Sequence, residues 1–96
     1  MPVYTALVDN RSVLALYADC DSDAARCVSD PLLRDDLMTL ATGGAPLWDG
    51  VKDIVVRRAQ SGEESRWEIS HARAIQRGNI DREDRSWVMF LVPLDI

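Results

Sequence analysis

Between Arg85 and Pro93 the chain carries six apolar residues without interruption, Trp87-Val88-Met89-Phe90-Leu91-Val92. Aromatic and β-branched side chains pack well on a pleated surface, so a run of this length and composition predicts a strand covered on both faces. Pro93 has no N–H to give to a ladder, which ends the strand near Val92. The run also predicts a core centred close to the C-terminus. A sheet with both faces covered needs other elements to cover it, and these have to come from upstream.

Val3 to Val8 is strand-like, Asp9-Asn10-Arg11-Ser12 supplies turn formers, and Val13 to Ala18 is a second apolar run, which together predict a hairpin. Asp21 or Ser22 is placed to cap a short helix through Ser29. Asp30, as N-cap with Pro31 at the first helical position, then opens another, with Leu33, Leu37, Leu40 and Ala41 on one face and Gly43-Gly44 as its stop. Ala45 to Gly50 reads as a loop carrying Trp48, and Lys52 to Arg58 alternates as a third strand. Residues 61–78 carry helix punctuation: Ser61 with Glu64 as a capping box, acids in the first turn, Arg73 and Arg77 in the last, and Gly78 after it. Residues 65–76 also alternate as a strand would, but the caps and alanines favour the helix. Asn79 to Arg85 is a charged connector.

The expected order is therefore ββααβαβ in a single α+β domain spanning 1–96. A mixed or antiparallel four-stranded sheet packs against a helical layer, and the strands flanking the 61–78 helix are candidates for a parallel pair through a right-handed crossover. Ninety-six residues support one core, and a hydrophobic fraction of 47% with 28% charged residues is ordinary for a globular chain. No segment reaches the roughly 18 apolar residues of a membrane-spanning helix, and Met1 is followed by no basic start, so a cytoplasmic protein is expected.

Charge excludes more than it identifies. The net charge is −5, and residues 1–50 hold eight acids against three arginines. Phosphate-backbone binding draws its affinity from cationic side chains, so neither nucleic acid nor an anionic membrane is expected as a partner. Ten of the eleven basic residues are arginine, a bias that fits a GC-rich bacterial coding sequence.

Candidate chemistry is sparse. Asp19, Asp21, Asp23 and Asp30 have the carboxylate spacing of a calcium loop, and over these residues the chain resembles the EF-hand family, which implies calcium. It departs from that pattern at Ala24, where the sharp turn calls for glycine, and at Asp30, where a longer bidentate glutamate belongs. Helix capping accounts for the same residues. Cys20, Cys27 and His71 are the soft ligands available, but the cysteines lack the tight bite of a CxxC pair, and no metal or cofactor is expected. Cys27 reads as a small apolar residue on the inner face of its helix. As a nucleophile it would need a neighbouring cation such as Arg26 or His71. His71 falls with Trp67 and Ile75 on the buried face of the 61–78 helix, where a hydrogen-bonded core histidine is the expectation and a general base the alternative. The opening Met1-Pro2 followed by a strand resembles the tautomerase superfamily, which implies an N-terminal proline amine acting as a base. That family continues with a helix, whereas a turn and a second strand are expected here.

These features favour a protein-binding module or regulator that acts by surface complementarity. Its acidic residues Asp19, Asp21, Asp35 and Asp36, together with Trp48, would face a basic partner, and an exposed strand edge or the Trp48 region offers a route to a homodimer. The alternative is a small-molecule-binding protein or enzyme with a pocket that uses Pro2, Cys27 or His71.

Overall fold

In the computed structural model, which describes residues 2–94, the chain folds around its first hairpin. β1 (Val3–Val8) and β2 (Arg11–Tyr17) pair antiparallel. Asp9 and Asn10 connect them, both in the left-handed region at φ 53° and 62°. Two consecutive left-handed residues make the tight turn whose twist matches that of the strands, and Asp and Asn tolerate that conformation better than other side chains. The pairing slips by one residue between Ala6 and Leu7, where Leu14 and Ser12 are the successive partners. Val13 is thus left as the extra residue of a bulge, and it is fully buried.

α1 (Asp21–Val28) and α2 (Pro31–Thr39) follow. Asp30 caps α2 as expected, its carboxylate accepting from the Leu32 N–H at 2.8 Å, with Pro31 at the first position. The cap of α1 differs from expectation: Cys20 holds that place without a side-chain bond, and Asp21 and Asp23 lie inside the first turn. The Gly43-Gly44 pair does not stop α2 either. The helix closes at Thr39, and the glycines, at φ 59° and 82°, form the tip of a small hairpin between β3 (Ala41–Thr42) and β4 (Ala45–Pro46). β5 (Ile54–Arg58) leads into α3 (Ser61–Gln76), and β6 (Val88–Phe90) ends the ordered elements. The strand alternative for 65–76 is overturned, since the whole segment is helical.

The four-stranded sheet has the order β5-β1-β2-β6 and is antiparallel throughout. β5 and β6 therefore occupy opposite edges, and no parallel pair exists between them. The helices divide between the two faces. Tyr4, Ala6, Leu14 and Leu16 pack with Ala24 and Val28 of α1 and Leu37 of α2, while Val3 and Ala15 pack with Trp67 of α3. Burial on both faces of the Trp87–Val92 run follows from this arrangement. Val88, Phe90 and Val92 join the first cluster, and Trp87, Met89 and Leu91 join the second. The run is nevertheless an edge strand of three residues, and every residue from Trp87 to Val92 keeps intermediate exposure. The centre of the core is the β1–β2 hairpin, not the C-terminal run.

α3 is pinned at both ends. At its start, Glu63 rather than Glu64 completes the reciprocal cap, accepting from the Gln60 N–H at 2.9 Å. At its end Gly78, at φ 75°, donates to Ile75 O and Asn79 donates to Ala74 O, both at 3.0 Å. This double closure needs a left-handed residue that glycine adopts without strain.

Candidate functional site

The acidic side chains named from the sequence lie on α1, on α2 and in the turn before α1, and Asp36 also lines a cavity beside β2 and β6. Asp19, Asp21, Asp35 and Asp36 are exposed, and no ion pair among the described residues engages them. Asp19 accepts from the Tyr17 hydroxyl at 3.1 Å, and this carboxylate raises the Tyr17 pKa by holding the proton in place. Arg26 pairs with Asp23 at 3.6 Å. Arg34 is turned inward: its Nε donates to Val28 O at 3.1 Å and its guanidinium lies 5.2 Å from the centre of the Trp48 ring. The outer surface of α2 consequently keeps its negative charge, and the same surface exposes Leu32 at 75% and Met38 at 49%.

Trp48 is taken up by the fold. It is 8% exposed, packs in the larger cluster, and donates its indole N–H to Lys52 O at 2.6 Å. The loop around it is tied by Asp49, whose carboxylate accepts from the Val51 and Lys52 amides at 2.9 and 3.0 Å. These backbone donors, that of Lys52 first, hold the Asp49 carboxyl below its ordinary range.

The structure does not bring Pro2, Cys27 and His71 together. Cys27 is exposed rather than turned inward, as is Cys20, and both are free thiols. Its helix, α1, covers one face of the sheet while α3, which carries His71, covers the other. His71 is 5% exposed, stacks on Trp67 with ring centres 4.7 Å apart, and its Nε2 lies 2.7 Å from Asp84 O. A carbonyl oxygen only accepts, so Nε2 carries the proton and donates it, as a structural core histidine does. The Pro2 carbonyl accepts from the Ala18 amide at 3.3 Å, and β2, not a helix, follows β1; Met1 is outside the described residues. The calcium-loop carboxylates separate likewise, Asp21 and Asp23 going to the first turn of α1 and Asp30 to the cap of α2. Among the described residues no group of three or more His, Cys, Asp or Glu side chains could hold a metal ion.

Two further constellations were not singled out in the sequence. The first lies under the start of α3, where Glu63 accepts from Arg57 at 2.7 and 3.1 Å and from the Thr5 hydroxyl at 2.9 Å, while Arg57 also donates to Ser12 Oγ at 3.2 Å. The Arg57 guanidinium foremost, with the Gln60 amide and the Thr5 hydroxyl, lowers the Glu63 carboxyl to about 2 against the opposing effect of burial. Thr5 and Arg57 face each other across β1 and β5, and this network has the character of a clamp joining α3 to the sheet.

The second is a groove of about 450 Å³ between α3 and β6, lined by Arg66, Arg73 and Arg77 along one side and by Trp87 and Met89 along the other. Its aromatic wall is fixed by two indole bonds, Trp67 Nε1 to Trp87 O at 2.9 Å and Trp87 Nε1 to Ser70 Oγ at 2.8 Å. Arg66 reaches Leu91 O at 3.4 Å, and no ion pair among the described residues engages any of the three arginines. The sequence signal for it is the set of three arginines, two on α3 and Arg77 at its C-cap; the wall opposite comes from residues downstream. A smaller cavity of about 260 Å³ lies on the other side of the strand, bordered by Leu16, Cys27, Leu33, Val88 and again Trp87.

Compared with protein-family models, with curated proteins and with solved structures, the chain gives no match. No helix among the described residues is long and apolar enough to cross a membrane.

Proposed function

We propose that the protein is a binding module or regulator that acts by surface complementarity on a cationic protein partner, which it engages with the outer side of α2 and the turn leading into α1. The observation that carries this reading is the conjunction on α2 of Leu32, 75% exposed, with Asp35 and Asp36, which no ion pair among the described residues neutralises. Burying a leucine side chain is worth about 1.5–3 kcal/mol, an anchor that the fold leaves unused. Carboxylates around an apolar anchor steer a basic partner and suppress acidic ones. The free thiols and the preference for arginine over lysine fit a bacterial cytoplasm, which belongs to the same proposal.

The test titrates an amphipathic peptide of alternating arginine and leucine, beside its glutamate–leucine counterpart, into isotopically labelled protein and follows the amide resonances. The expected result is binding of the arginine peptide alone, with shifts confined to α1 and α2. It is lost when Asp19, Asp21, Asp35 and Asp36 are together changed to Asn, and weakened by Leu32→Ser. Undiminished binding to the quadruple variant with a native spectrum would refute the proposal. Equal binding to Leu32→Ser would reduce it to unspecific charge attraction and refute it as well.

A further inference from the structure

β6 lies at one edge of the four-stranded sheet. Leu91 donates to Val13 O at 2.7 Å, and Ala15 stands opposite Met89. In an antiparallel ladder, hydrogen-bonded and non-hydrogen-bonded pairs alternate. Val13–Leu91 and Ala15–Met89 are thus hydrogen-bonded pairs, whereas Leu14–Phe90 and Leu16–Val88 are not. The N–H and C=O groups of Val88 and Phe90 accordingly point away from β2, and β6 is the last strand of its sheet. No hydrogen bond from another described residue covers that edge. An uncovered edge is a template for a further strand.

What lies on either side of the edge determines which strand fits. Successive residues of an added strand point to opposite faces of the sheet. On the α3 face they would meet the groove lined by Arg66, Arg73 and Arg77, and on the other a cavity whose apolar wall is Leu16, Leu33 and Val88 and whose rim holds Asp30, Asp36 and Arg85, with carboxylates that would repel an acidic side chain there. The geometry points to an extended segment of a partner protein, alternating acidic and aliphatic side chains, that adds to β6 with its carboxylates against the arginines. A second copy of the chain fits poorly. Antiparallel edge-to-edge pairing about a two-fold axis would put both α3 helices on one face of the joined sheet and turn the two sets of arginines toward each other, where like charges repel. The segment would also present Trp87, Met89 and Leu91, not carboxylates, to the groove. The cavity on the far side of β6 is also lined by Asp36 of α2, so the arginines of the groove and the Val88 and Phe90 amides, not the α2 carboxylates, separate this proposal from the first.

An acetylated octapeptide of alternating glutamate and valine serves as the probe, with its lysine–valine counterpart as control. Amide resonances and hydrogen exchange of the full chain are followed at each addition. Binding of the glutamate peptide should slow exchange at Val88 and Phe90, and Arg73→Glu together with Arg77→Glu should weaken it on the order of tenfold or more. N-methylation on alternate peptide amides separates strand addition from charge attraction without touching the protein fold: one alternate set should abolish binding and the other should leave it intact. Equal effects of the two methylated sets would overturn the proposal, as would equal binding of the lysine peptide. So would a dimer whose Val88 and Phe90 amides are already protected without peptide, because a second copy would then occupy the edge.

Discussion

Replacing Glu63 with Gln should remove most of the hold that the sheet has on the start of α3. In the folded protein the Glu63 carboxyl is lowered from 4.5 to about 2, chiefly by Arg57. Taken whole, a displacement of that size corresponds to about 3 kcal/mol, at roughly 1.4 kcal/mol for each pH unit. The Glu63 side chain is only 15% exposed, but that of Arg57 is 34% exposed. Solvent screening at the arginine reduces the expected loss to about 1–2 kcal/mol. Glutamine keeps the shape, and its oxygen still accepts one hydrogen bond, which sets the lower end of that range. For a domain of this size the loss lowers the thermal midpoint by roughly 5–15 °C. The pH dependence gives a second readout. A carboxyl whose pKa is lowered by folding contributes its full stability above its unfolded value of about 4.5, and that contribution disappears as the pH falls toward about 2. Thermal unfolding followed by circular dichroism between pH 7 and 2 should therefore show a gap between wild type and Glu63→Gln that is widest near neutrality and closes in acid. Equal midpoints at pH 7, or a gap that persists unchanged at the acid end, would refute the reasoning.

Trp67→Ala empties the fully buried site on the α3 face and strips Trp87 O of its donor, so the denaturation midpoint in urea should report a loss of about 3–5 kcal/mol; a loss below about 1 kcal/mol would contradict the packing described. Cys20 and Cys27 are both exposed and free, so a thiol reagent such as Ellman's should titrate two groups in the native protein, whereas a single reacting thiol would show that one of them is covered.

Local signals in the sequence read well where the decisive atoms are near each other along the chain. Asp30-Pro31 marks the opening of α2 because a cap needs only the carboxylate and the amide two residues on. Gly78 marks the end of α3 because the left-handed turn is a property of one residue. Gly43-Gly44 misleads for the same reason. Left-handed backbone serves a helix end and a hairpin tip alike, and only the pairing of Ala41 with Pro46 and Thr42 with Ala45 decides between them. The inward placement expected of Cys27 fails because Ala24 and Val28, four apart, take the buried stripe of a helix only eight residues long. The four exposed carboxylates are legible as charge, but not the fact that Arg34, on the same helix as two of them, turns toward Trp48.

The sequence by itself determined the order of the elements apart from the small β3–β4 pair, the first hairpin, the helical state of 61–76 and the excess of acids in the first half, since period, caps and charge are carried by neighbouring residues. Only the tertiary structure decided that the helices split between two faces, that β5 and β6 are the sheet's opposite edges, and that arginines of α3 stand beside Trp87. The Trp87–Val92 run shows why. Side chains report whether the faces of a strand are covered, and both are, by helices remote in sequence. Whether a strand lies at the centre or the edge depends on which backbone groups find partners, and every residue but proline carries the same ones.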